Sequence, residues 1–144
     1  MPDVLIVADT FRSPEMRHEV PAPVPDAFLY AEVGGTRHVM APTHEEPIIS
    51  AAGEYVFHAP EEYGVEELRR TKGSVDEMFQ ELIVRTVRSL GMERAVVPGS
   101  FPLFADSRKS VRDLWAPGGL VIADFGPSQN RADNIVEVMG DAAG

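Results

Sequence analysis

The side chains able to do chemistry in this sequence are few and scattered. Four histidines, His18, His38, His44 and His58, are the natural metal ligands and proton carriers. None falls at the His-Glu-x-x-His spacing that sets two ligands on one helix face. His44-Glu45-Glu46 places three donors in a row, but adjacent helical residues point in different directions, so the string reads as solvated polar residues of a first helical turn. The chain has no cysteine, which excludes thiolate zinc ligation, a cysteine nucleophile and a disulfide framework together and fits a reducing cytosol.

Asp9 closes an apolar run, and ligand sites of open α/β sheets gather at the carboxyl ends of strands. A phosphoryl-accepting aspartate in that place normally has a second acid two residues on. Phe11 stands there instead, so Asp9 is expected to shape a turn. Pro98-Gly99-Ser100 lacks the glycine density and the lysine of a phosphate-cradling loop, and Ser100 is not in a Gly-x-Ser-x-Gly elbow. One local surplus of positive charge stands out, Arg12, Arg17 and His18, just after the first apolar run. Its ordinary role would be pairing with carboxylates at helix ends. Its functional role would be a lip that holds an anionic or carboxylate group of a substrate.

The elements that must position these residues follow from composition and pattern. A length of 144 residues with 44% hydrophobic and 25% charged residues suits one core and one domain. Formal net charge is −10, a surface that repels phosphate backbones, and no basic stripe interleaved with aromatics offsets it, so nucleic acid is not an expected partner. The apolar run Val4-Leu5-Ile6-Val7-Ala8 has no basic leader, and no apolar stretch reaches the roughly 20 residues needed to span a bilayer. A cytoplasmic protein without a membrane partner is expected.

Val4 to Ala8, rich in β-branched residues, reads as a strand buried on both faces. Ser13-Pro14 gives an N-cap and a first-turn proline for a short helix to about Val20, stopped by Pro21, Pro23 and Pro25. Phe28–Val33 and Thr36–Ala41 flank Gly34-Gly35, a hairpin signal, because tight primed turns need positive φ. Thr43 with Glu46 has capping-box form for a helix over 44–52, ended by Gly53, and Ser74 with Glu77 repeats the form. After the second box, Val75, Met78, Phe79, Leu82, Ile83, Val87 and Leu90 make one apolar stripe, closed by Gly91. Glu54–His58, Arg94–Val97 and Leu120–Ala123 read as further strands, Val65–Arg70 as a helical turn or two, and Ser100 as the cap of a helix whose apolar face includes Leu103, Phe104 and Trp115. A helix over 133–139 is also expected. The order predicts an α/β fold, a mixed sheet flanked by helices in three layers, with residues 1–123 as the domain and 124–144 as a tail.

Element order and several strings resemble the N-terminal domain of creatinase/prolidase-type proteins, Xaa-Pro aminopeptidases and Xaa-Pro dipeptidases. Asp3 to Val20 is similar to that domain's opening strand and short helix, with Glu15-Met16-Arg17-His18-Glu19-Val20 where the family carries a recurring Arg-Tyr-Leu-Thr-Gly type of turn. The hairpin Phe28 to Ala41 and the helix near Glu45-Glu46 continue the likeness. Gly91-Met92-Glu93-Arg94-Ala95-Val96-Val97-Pro98 resembles the family's Leu-Gly-hydrophobic-Glu-Arg step into a strand. The resemblance covers roughly residues 3 to 123, without the helix that customarily precedes the first strand and without the basic hinge into the next domain.

The resemblance implies an accessory domain of a metallopeptidase that forms a homodimer and restricts substrates to short Xaa-Pro peptides. It implies no catalytic residue and no cofactor in this chain. The hydrolase chemistry would use two divalent metals, such as manganese, in a separate catalytic domain, where two Asp, one His and two Glu hold them. This chain would then be a piece of a longer or truncated protein and inactive alone. Arg12, Arg17 and His18 are the expected substrate lip. Two other readings stand beside it: a stand-alone module binding a small ligand near Asp9, Thr10 and Pro98-Gly99-Ser100, and a dimerisation domain.

Overall fold

Strand Val4–Ala8 (β1) is buried at every position, as its unbroken apolar run requires. It can be so only if a layer covers each side of the sheet. The computed structural model describes residues 3–97 and 121–124, and in them β1 is the hub of a six-stranded sheet. Beyond it in the chain come helix Pro14–Glu19 (α1), strands Phe28–Val33 (β2) and Thr36–Met40 (β3), and helix Glu46–Ala52 (α2). Strand Val56–His58 (β4), helices Val65–Thr71 (α3) and Val75–Ser89 (α4), and strands Arg94–Val97 (β5) and Val121–Asp124 (β6) complete the order.

The strands lie in the order β4-β3-β2-β1-β5-β6. β2 pairs antiparallel with both β1 and β3, whereas β3–β4, β1–β5 and β5–β6 are parallel. The sheet is therefore mixed, and the hairpin expected from Gly34-Gly35 is the cause. Val33 faces Thr36 across a two-residue turn whose glycines have φ of 56° and 84°, a conformation that side chains with a Cβ resist.

Alternation along the strands divides the core in two. Val4, Ile6, Phe28, Tyr30 and Val39 pack with Met16 and Val20 of the first helical segment and with Ile49 of α2. Leu5, Val7, Leu29, Ala31 and Met40 face the other way, onto Val65 and Leu68 of α3 and Leu82, Ile83 and Val87 of α4. The result is the three-layer α/β arrangement read from the sequence.

Most local signals operate as written. The Ser13 hydroxyl accepts from Met16 N at 3.1 Å and caps α1. The Ser74 hydroxyl accepts from Glu77 N at 3.1 Å, while the Glu77 carboxylate returns to Gly73 N at 3.2 Å instead of Ser74 N, so the box is half made. Gly91, at φ 69°, ends α4, with Met92 N donating to Val87 O at 3.1 Å.

The first box is a correction. Thr43–Glu45 forms a 3-10 turn, α2 starts only at Glu46, and the Thr43 hydroxyl donates to Glu61 Oε2 at 3.4 Å rather than accepting from the helix. Pro47 and Pro42 restrict the chain on either side, and the tighter turn lets Pro47 fall inside the first turn of α2. The last strand is shifted by one residue from its sequence bounds. The helix from Ser100, the 133–139 helix and the tail after Asp124 lie outside the described residues.

On the α4 stripe, Ile83 is fully buried but Val75 is 75% exposed. Ile83→Ala is expected to cost about 2–5 kcal/mol. Val75→Ala, on the same stripe, should stay within about 0.5 kcal/mol. Urea denaturation of the two variants beside the parent reads both values.

Candidate functional site

The parallel strands β1, β3 and β4 all end at one edge of the sheet, and β2 begins there. At that edge lies a cavity of about 680 Å³, within the range that holds a drug-sized ligand. Ala27, Met40, Val65, Met78, Phe79 and Leu82 give it apolar walls, and α4 supplies three of them. Its charged lining comes from Arg12, Asp26, His44, Glu61 and Arg69.

The loop after β1 is held from within. Thr10 is buried, and its hydroxyl donates to Ala22 O at 2.5 Å and accepts from Val24 N at 2.9 Å, tying the loop to the proline-rich connector. The buried Asp9 carboxylate accepts from Arg12 N at 3.0 Å and from Arg12 Nε at 2.8 Å. Asp9 therefore has the turn-forming role its sequence context implies.

Of the three candidate lip residues, Arg12 reaches the cavity, with its side chain half exposed while Nε holds Asp9. Arg17 does not line it; its guanidinium donates to Thr10 O at 3.2 Å and to Phe11 O at 3.4 Å, bracing the same loop. His18 is half-buried at the end of α1 and is also apart from the lining. His44, read as a solvated first-turn residue, is exposed beside the cavity and pairs with Glu45 at 3.1 Å. Arg69 and Asp26 had no sequence signal as site residues, because the fold alone brings α3 and the start of β2 to this edge.

The opposite face holds a polar cluster inside the core. Tyr30 donates to Glu19 Oε2 at 3.3 Å, Tyr55 donates to Glu19 O at 2.6 Å, and Arg37 donates to both phenolic oxygens and to Glu19 O. The Arg37 guanidinium also lies 4.5 Å from the Tyr55 ring centre. Burial pushes the Tyr30 hydroxyl up to about 12 and raises Tyr55 as well. The cluster fastens the end of α1 to β2, β3 and the approach to β4.

A second titratable group stands on the α3/α4 side. His38 Nδ1 and His58 Nε2 are 3.0 Å apart, and His58 Nδ1 meets Glu62 Oε2 at 3.2 Å and Tyr63 Oη at 3.2 Å. Burial, and then the neighbouring His58, lower the His38 pKa below its ordinary 6.5. Above 6.5 both the folded and unfolded chains hold His38 neutral. As the pH falls from there towards the lower folded value, the unfolded chain takes the proton first and stability drains away. Chemical denaturation at pH 7.5 and 5.5 should show a smaller loss for His38→Gln than for the parent; equal losses would contradict the assignment.

No family model matches the chain, and no curated protein matches it. Among solved structures, a prolidase from Pyrococcus furiosus is similar in fold, with a TM-score of 0.53 and 9% sequence identity over 96% of this chain. At that identity the likeness is one of fold. The chain spans 31% of the length of that prolidase.

Among the described residues no set of three or more His, Cys, Asp or Glu side chains could hold a metal ion. No helix among these residues is long and apolar enough to cross a membrane.

Proposed function

We propose that the chain is the accessory N-terminal domain of a Xaa-Pro peptidase, of the aminopeptidase P or prolidase kind. The observation that carries this reading is the fold likeness to a prolidase, whose matched part is 31% of that enzyme's length. The strings around Asp3–Val20 and Gly91–Pro98 support it independently of the fold. In this reading the hydrolase chemistry, with its two divalent metals such as manganese, belongs to a catalytic domain outside these 144 residues. The domain contributes a homodimer contact and restricts the substrate to short Xaa-Pro peptides.

The role of a lip falls to the edge where the parallel strands end. In this reading Arg12, with Nε on Asp9 and its side chain half exposed, receives a peptide carboxylate. Arg17 then acts by keeping the Thr10–Phe11 carbonyls in position, and His18 is the third residue of the lip. The chain alone is expected to show no turnover of an Xaa-Pro dipeptide with manganese, and measurable turnover would overturn the accessory role. Light scattering should give a dimer; a strict monomer at every concentration would remove the dimer contact from the proposal.

A second reading, a stand-alone module for a small ligand, is favoured by the 680 Å³ cavity with apolar walls. Saturable binding of a small apolar metabolite by a chain that stays monomeric would favour it over the first.

A further inference from the structure

The His38–His58 pair lies apart from the cavity lining, and strand pairing creates it. β3 and β4 are parallel, with His38 beside Val56 and Met40 beside His58, which puts both imidazoles on the face that carries α3 and α4. Their rings are 5.2 Å apart and tilted by 31°. The pair is only partly enclosed: the His58 side chain is 15% exposed and that of Glu62 is 50% exposed.

We propose that His38 and His58 bind one divalent late transition-metal ion, copper(II) above all. His38 Nδ1 and His58 Nε2 are the ligands. Two metal–imidazole bonds of about 2.0–2.1 Å, set between about 90° and the tetrahedral angle, place their nitrogens roughly 2.8–3.4 Å from each other. The 3.0 Å separation here brings both nitrogens within reach of one ion, and among the divalent first-row ions imidazole ligands favour copper(II) most. The site differs in kind from a paired-metal peptidase centre: one ion, two nitrogen ligands, no bridging carboxylate.

Glu62 supplies the orientation that such a site needs. Its carboxylate, 3.2 Å from His58 Nδ1, holds a proton on that nitrogen and so leaves the Nε2 lone pair for the metal. His38 presents Nδ1 when its own proton sits on Nε2. In the metal-free neutral pair, one ring proton lies between the facing nitrogens. Metal binding moves the His38 proton from Nδ1 to Nε2 while the His58 proton stays on Nδ1, so the neutral pair changes tautomer without losing a proton. Once either ring is protonated, binding must expel that proton, and affinity falls with pH. No third ligand among the described residues completes the shell, so water fills it and affinity is lower than that of a four-ligand structural site.

The test is copper(II) chloride added to the full 144-residue chain at pH 7.5, followed by calorimetry and electron paramagnetic resonance. One ion per chain and superhyperfine coupling to two imidazole nitrogens are expected. His38→Gln and His58→Gln should each remove that signal, and Glu62→Gln should weaken binding about 10–100-fold while leaving two nitrogens on the metal. His18→Gln and His44→Gln should leave the copper stoichiometry and spectrum unchanged. A spectrum with fewer than two imidazole nitrogens in the parent overturns the proposal without any variant having to fold. So does binding that survives the double substitution His38→Gln/His58→Gln, or that is lost with His18 and His44 instead.

Discussion

Burial of β1 on both faces is the constraint from which the rest of the molecule follows. Five consecutive apolar residues cannot face water on either side, so helices must cover both surfaces of the sheet. The same strand is paired on both edges, with β2 on one side and β5 on the other. Its end is then a fixed point. The loop that leaves it, with Asp9 turned onto Arg12 and Thr10 locked to Ala22 and Val24, inherits that fixity and sets Arg12 beside the cavity.

Both sides of the sheet carry polar clusters, and they differ in their partners. On the α1/α2 side, hydrogen bonds join Glu19, Tyr30, Arg37 and Tyr55, and burial raises the pKa of both tyrosines. Such a buried set rigidifies the core. On the α3/α4 side, His38 and His58 share a contact that one proton or one metal ion can occupy, close to water.

What the sequence made legible is what depends on neighbours in the chain. The Gly34-Gly35 hairpin, the Ser13 cap, the α4 stripe and the Gly91 stop each have their physical cause within a few residues. So did the mixed α/β sheet, since one hairpin among alternating strands and helices forces it. The Thr43 box failed because its hydroxyl met Glu61, a partner that only the tertiary fold brings near. The cavity and the histidine pair were illegible for the same reason: His38 and His58 lie on different strands, and Arg12 and Arg69 meet at one cavity only once β1 and α3 are in place. Of the three expected lip residues, the one that reaches the cavity is the one at the strand end; Arg17 and His18, on the helix that follows, do not line it.

The antiparallel placement of β2 between β1 and β3 also bears on how the chain reaches this state. β1, β2 and β3 form a meander whose pairings join residues close in sequence, from Val4 opposite Glu32 to Val33 opposite Thr36. The β1–β5 pairing joins Val4 to Val96 and closes nearly the whole described chain into one loop. Loop-closure entropy therefore favours the meander as the early-forming unit, with the parallel half of the sheet added later. A chain emerging from the ribosome can assemble its first three strands before α4 and β5 have been synthesised, and until they arrive the Leu5–Val7 face of β1 stands open to any apolar surface nearby.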